Sequence, residues 1–314
     1  MASTPATRRQ FLIQVLAATA AACNGGGGGG SGSEGSSSGG SSGEPTTGEP
    51  VPELPGAPFT VGVASGDPLA DSVILWTRLA PAPLEDDGGM PDAVYPVGWE
   101  VASDEQFTDI VATGTADAEP AYAHSLHVDV QGLEPDTWYW YRFTIGDYTS
   151  PVGRTRTTPA VDAAPAGLRY ATANCQSYAD GYYTPYQHLV GEDIDLVVFL
   201  GDYIYEDAAT GPVRSHGGAA ATTLAEYRRR YALYHTDPDL QAALARCPWV
   251  AIWDDHEVED NYAGDISKSE APTDAFRDRR AAAYQAFYEH LPLRLPPPEG
   301  PDYKIYHALR WGDL

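Results

Sequence analysis

Ile194-Asp195-Leu196-Val197-Val198-Phe199-Leu200-Gly201-Asp202-Tyr203-Ile204-Tyr205 is a short apolar run that breaks into a glycine, an aspartate and two tyrosines. An apolar run of this length bounded by turn residues reads as a buried strand. Two other runs share its grammar: Leu168 to Ala173 ends in Asn174-Cys175, and Trp249 to Trp253 ends in Asp254-Asp255-His256-Glu257. Helical stretches lie between them. Leu224 to Tyr234 is a basic amphipathic helix, and Asp237-Pro238 supplies an N-cap and a first-position proline for Leu240 to Arg246. Strand and helix in alternation make residues 159–314 an α/β layered domain around a parallel sheet.

Parallel strands deliver their carboxyl ends to one edge, where α/β enzymes bind ligands. Cys175, Asp202, Tyr205, Asp254 and Asp255 are therefore expected to converge. Carboxylates suit hard cations, a phenolate suits ferric iron and a thiolate is a strong, charge-donating ligand, so the set points to a mixed site of two or more metals. Glycine lets the chain turn off the strand at Gly201, Asp202 can bridge two cations, and Tyr205 three residues on can reach the same iron. Cys175 has rival readings as a core thiol or as half of a disulfide to Cys247. The ligand reading is preferred because Cys247 precedes its strand, on the opposite edge, and a bridge cannot join Cα atoms more than about 7 Å apart. Asp254 to Glu257 can also be read as an acidic helix start. In the functional reading, an Asp–His pair there binds a second metal and His256 holds or protonates the leaving oxygen. The helical stretch Ala275 to His290 carries Arg277, Arg279 and Arg280; Arg279 and Arg280 are candidate phosphate clamps, with ion pairing to the acidic surface as the alternative.

Upstream the period changes to two. Ser72 to Thr77, His124 to Val130 and Trp138 to Phe143 alternate, with turn signals between them, so residues 59–158 read as half-buried antiparallel strands of an immunoglobulin/fibronectin-like β-sandwich. The spacing of Leu133, Pro135, Thr137 and Tyr139 resembles a tyrosine corner. Trp138 and Trp140 are expected to pack across strands rather than to form a ligand platform.

Residues 24–58 are almost entirely Gly, Ser, Glu, Thr and Pro and read as a disordered tether. Before them, Thr7-Arg8-Arg9-Gln10-Phe11-Leu12 and the apolar run from Phe11 to Ala22 form a twin-arginine export signal over residues 1–23. Cys23 follows three alanines and is a site for a lipid anchor, although Ala20 stands where a lipobox favours Leu; plain secretion is the alternative. The formal charge of -25 excludes nonspecific nucleic-acid binding, since nothing would neutralise a phosphate backbone. An acidic chain that handles phosphate needs bound cations. With only Cys23, Cys175 and Cys247, it is no disulfide scaffold.

Val61-Gly62-Val63-Ala64-Ser65-Gly66-Asp67-Pro68, Val73 to Arg78, Gly201 to Glu206 and Trp253 to Val258 together resemble the signatures of PhoD-like alkaline phosphatases, in family order. Gly-Asp-x-x-Tyr is also similar to an element of purple acid phosphatases. The resemblance runs from Phe59 to Leu314 and implies a metallophosphoesterase-like catalytic domain in which Cys175 and Tyr205 bind Fe3+. It further implies that Asp202 bridges Fe3+ and Ca2+, that Asp255 approaches Ca2+, and that His256 contacts phosphate or the leaving group. The implied activity is alkaline hydrolysis of phosphate monoesters and diesters by an exported monomer, either periplasmic, surface-anchored or secreted. Diester or phospholipid substrates and a non-catalytic surface lipoprotein are the rival readings. Family sequences continue past the equivalent of Leu314 with further aspartate and histidine ligands, so the catalytic domain is expected to be incomplete here.

Overall fold

The computed structural model describes residues 52–268 and 273–314. The twin-arginine segment, Cys23 and all but the end of the expected tether lie outside the described residues.

The first strands are β1 (Val63–Gly66), β2 (Ser72–Arg78), β3 (Tyr95–Ala102), β4 (Ile110–Ala118), β5 (Ser125–Gln131), β6 (Trp138–Ile145), β7 (Tyr148–Thr149) and β8 (Gly153–Arg156). The second half contributes β9 (Tyr170–Ala173), α1 (Thr184–Gly191), β10 (Leu196–Leu200), α2 (Leu224–His235), α3 (Pro238–Leu244), β11 (Trp249–Ile252) and α4 (Asp274–His290). One sheet has the order β4-β3-β6-β7, with β8 also paired to β6, and every pairing in it is antiparallel.

The other sheet is mixed, in the order β5-β2-β1-β11-β10-β9. Its β9, β10 and β11 are parallel, whereas β1, β2 and β5 pair antiparallel. The two halves of the chain meet where β1 runs parallel to β11, Gly66 opposite Trp249. Glycine is required at that crossing: a Cβ on Gly66 would come within 2.4 Å of the Pro292 carbonyl and 2.6 Å of the Trp249 carbonyl.

Alternation along β1 and β2 feeds two cores. Val63, Val73 and Leu75 face Val97, Tyr141 and Phe143 of the antiparallel sheet, while Ala64 and Trp76 join the core formed with Tyr203, Tyr231 and Phe287. Trp76 Nε1 donates to the Glu289 carbonyl of α4 at 3.0 Å. All of β2 is therefore buried, not half-buried as its period implies, because α4 covers the face a lone sandwich would expose to water. The opposite correction applies to β9. It closes the mixed sheet at one end and alternates between exposed and partly buried, with Tyr170 at 57% exposure.

Local chemistry explains the helix starts. Thr223 and Glu226 form a reciprocal capping box at α2, and the Asp237 carboxylate accepts from the N–H groups of Asp239 and Leu240 at α3 with proline next in line. Trp138 and Trp140 pack across strands. Arg154 lies 3.5 Å over the Trp138 ring, and the pairs Trp138/Arg156 and Trp140/Arg154 stand opposite each other on β6 and β8.

Candidate active site

Register brings the three polar clusters level. Ala173 stands opposite Phe199 and Leu200 opposite Ile252, so Cys175, Asp202 and Asp254 all follow at the same edge. Beyond the strands the ladder continues for two more bonds: the Cys175 N–H donates to the Gly201 carbonyl and the Gln176 N–H to the Asp202 carbonyl, each at 3.1 Å. The chain turns sharply there. Cys175, Gly201 and Asp202 have φ of 52°, 106° and 57°. Gly201 has no substitute, since a Cβ would lie 2.6 Å from the Asp254 nitrogen. Positive φ at two non-glycine residues costs on the order of 1–3 kcal/mol each and concentrates where a site must be aimed.

Asp202, Asp255 and His256 each offer a ligand atom, and these atoms lie within 4.8 Å of one another. Asp202 is 6% exposed; its Oδ2 accepts from the Tyr205 hydroxyl at 3.1 Å, whereas its Oδ1 is buried without a partner. A buried carboxylate oxygen without a donor is costly unless a cation faces it. That orphaned oxygen, with Asp255 and His256 beside it, fits a bound metal.

Burial, followed by hydrogen bonding and charge from Asp202, raises the Cys175 thiol pKa. Burial and the same Asp202 charge raise the Tyr205 phenol well above its ordinary value. Both groups must shed a proton to ligate, so cation uptake would release protons. The Asp254 carboxyl is likewise pushed up, by burial first and then by Asp255 and Asp202.

His256 lies at 4.2 Å centroid distance over the Tyr205 ring, and its Nδ1 is 2.8 Å from Glu206 Oε2. Burial alone would lower its pKa, but the Glu206 hydrogen bond and charge, then Asp202 and Asp255, carry it up to about 9. Asp202 and Asp255 are the charges that a cation would offset. Glu206 itself is held below the usual range: burial opposes this, and hydrogen bonds from His256 and the Asp260 N–H outweigh it.

Cys175, Asp202, Tyr205, Asp254, Asp255 and His256 thus stand together at one edge. Arg279 and Arg280 do not join them. Arg279 donates to the Tyr227 hydroxyl, Glu259 and the Ala221 carbonyl, so each of its three nitrogens has a partner. Arg280 pairs with Asp265 at 2.7 Å and with Asp302 at 3.3 Å. Of the two readings open for these arginines, ion pairing is the one present, because acidic residues from the neighbouring loops reach them. Both cysteines of the described residues are free; Cys247 is buried in the larger core, and burial pushes its thiol up to about 12.

Two residues of the site received no role in the sequence reading. Glu206 directly follows Tyr205 and orients His256 from 50 positions away. Glu257 is fully buried, and its carboxylate accepts from the Tyr203 N–H and, at 3.0 Å, from the Asp254 N–H, tying the loop after β10 to the loop after β11. Burial raises its pKa to about 8 against those two bonds. The only signal in the chain was that both acids sit inside the motifs; their partners are distant.

Residues 45–159 match the N-terminal domain of the PhoD-like phosphatases and residues 170–314 match the PhoD-like phosphatase domain. The chain is 53% identical over 270 residues to alkaline phosphatase D of Bacillus subtilis (strain 168), covering 84% of this chain and 46% of that protein. It is similar to a solved structure described as "Structure of PhoD" with a TM-score of 0.80 and 53% identity, over 83% of this chain and 51% of the other. The chain therefore spans about half the length of the relatives it matches. Motifs, edge geometry and similarity agree, and the chain belongs to the PhoD-like phosphatase family.

Proposed function

We propose that this chain carries the catalytic edge of a metal-dependent alkaline phosphatase that hydrolyses phosphate monoesters and diesters. The observation that supports this most is the partnerless, buried Oδ1 of Asp202 beside Asp255 and His256 at the ends of parallel strands. Cys175 and Tyr205 would hold Fe3+, Asp202 would bridge to Ca2+, and Asp255 with Asp254 would face Ca2+. When bound, these cations neutralise the ester's charge and act as Lewis acids toward a water nucleophile. The protein's own part is positional. Glu206 fixes the His256 ring through Nδ1, Nε2 faces Asp260 Oδ1 at 3.7 Å and would turn to a phosphate oxygen or the leaving group once substrate binds, and Glu257 keeps the two acidic loops in step.

The test uses the full-length protein loaded with iron and calcium, assayed on p-nitrophenyl phosphate and on bis(p-nitrophenyl) phosphate. Hydrolysis of the monoester, with a visible tyrosinate-to-iron absorption that Tyr205→Phe abolishes, is expected. A colourless iron-loaded protein that cleaves neither ester would overturn the reading; cleavage of the diester alone would move the assignment to a phosphodiesterase.

Arg8-Arg9 and the apolar run to Ala22 support export by the twin-arginine route, with Cys23 as the site of a lipid anchor. Retention in the cytoplasm of Arg8→Lys/Arg9→Lys tests the route. The shared core of β1, β2 and β5 with β3, β4 and β6 supports an immunoglobulin/fibronectin-like N-terminal sandwich. So does the Tyr139 hydroxyl, which accepts the Glu134 N–H at 2.9 Å as a tyrosine corner does.

A further inference from the structure

The strands align the edge only as far as Ala173, Leu200 and Ile252, and irregular loops take over beyond those residues. Helix α2 reaches all three loops. Tyr227, Arg230 and Tyr234 are spaced by three and four residues, which puts them on one face of the helix, and all are buried.

Tyr234 acts at two loops at once. Its hydroxyl oxygen accepts the Tyr205 N–H at 3.0 Å and the Tyr178 N–H at 3.3 Å. Tyr178 lies three residues after Cys175, so one phenol oxygen ties the loop after β9 to the loop after β10. The same hydroxyl lies 3.1 Å from His216 Nε2, whose ring is held at Nδ1 between the Asp207 carbonyl at 2.8 Å and Arg230 at 3.0 Å.

One turn back along the helix, Arg230 donates to the carbonyls of Tyr205 and Asp207. Both backbone polar groups of Tyr205 are thus held by α2 side chains. One turn further back, the Tyr227 hydroxyl donates to the Val258 carbonyl, and the Val258 N–H returns to the Asp255 carbonyl at 2.9 Å. This third contact reaches the turn that carries Asp255 and His256.

We propose that Tyr227, Arg230 and Tyr234 are positioning residues. Through one rigid helix face they set the spacing of the Cys175, Asp202/Tyr205 and Asp255 loops, and with it cation affinity and turnover, without touching substrate. The proposal rests on the metal-centre reading of these loops. A multi-ligand metal site needs its donors placed to within a few tenths of an ångström, which loops with positive φ do not secure unaided.

The experiment compares Tyr234→Phe with Tyr231→Phe in the full-length protein. Tyr231 is on the same helix and equally buried, yet its hydroxyl has no hydrogen-bond partner, so it reports the cost of deleting a core hydroxyl. Cation affinity is read by competing calcium and iron against a chelator, loop anchoring by amide hydrogen exchange at Tyr178 and Tyr205, and catalysis by kcat and KM separately. Tyr234→Phe is expected to lose about 10–100-fold in cation affinity, to lose protection at both amides, and to lower kcat with little change in KM. Tyr231→Phe is expected to match the wild type.

Retention of cation affinity within about twofold in Tyr234→Phe, or an equal loss in Tyr231→Phe, would overturn the proposal. Should Tyr234→Phe fail to fold, Tyr227→Phe makes the same comparison at the Val258 turn. If Tyr205→Phe also keeps wild-type affinity for both metals, the metal-centre reading falls and this proposal with it; loss in Tyr205→Phe but not in Tyr234→Phe overturns the positioning role alone.

Discussion

The core of the antiparallel half and the carboxyl edge of the parallel strands treat unpaired polar groups differently. Inside the former, an atom left without a partner is the hydroxyl of Tyr95, a neutral group on a side chain packed into the apolar core. At the edge, the orphan is a carboxylate oxygen of Asp202, with Asp255 close by and the Asp254 carboxyl pushed up by burial and then by both charges. A neutral hydroxyl in such a place costs about 1–3 kcal/mol, whereas a charge costs far more. One region is therefore built for stability, and the other stores repulsion that a cation relieves.

The contrast breaks first at the apolar core. Phe143 is fully buried, with its ring edge-on to Tyr141. Phe143→Ala should destabilise the protein by about 3–5 kcal/mol, read from urea unfolding, while leaving cation affinity of the folded fraction unchanged. A parallel loss of affinity would show that the two regions are not separable.

Asp202→Asn should act in the opposite sense. Cation affinity should fall by more than about a hundredfold, since even indirect partners of a metal site are worth 10–100-fold. In chelator, however, the variant should melt at the same temperature as the wild type or a few degrees higher, about 2–4 °C per kcal/mol relieved. A lower melting temperature in chelator would mean that the Asp202 charge is compensated within the protein itself.

The smallest effect sharpens the link between the halves. His307 Nε2 lies 3.0 Å from Asp67, just past β1, and this hydrogen bond raises the imidazole pKa from 6.5 to about 9, against burial. A raised folded-state pKa gives stability that is complete below pH 6.5 and is lost as pH rises through about 9. The imidazole is partly exposed, so solvent screening keeps the effect modest. Urea midpoints should therefore fall slightly across that range, and His307→Gln should flatten the trend.

Much of this was legible in the chain because it is local. A strand's period of two, an Asp-Pro helix start and an apolar run ending in Gly-Asp depend on residues a few positions apart, and β2, β6, β10, β11, α2 and α3 lie where those patterns put them. Shared strand direction then implied the convergence of Cys175, Asp202, Tyr205, Asp255 and His256. Arg279 and Arg280 show the limit: a guanidinium's partner is whichever carboxylate folding brings nearest, and Glu259 and Asp265 arrive from loops that no periodicity describes.

Residue types and spacing along the backbone were enough to name the family and to pick out the polar side chains that meet at one edge of the sheet. Folding in space added what depends on distant pairs: β1 beside β11, Glu206 on His256, and Glu257 and Tyr234 bracing the loops. Such contacts join residues tens of positions apart or more, and a hydrogen bond across that separation leaves no periodic trace in the order of amino acids.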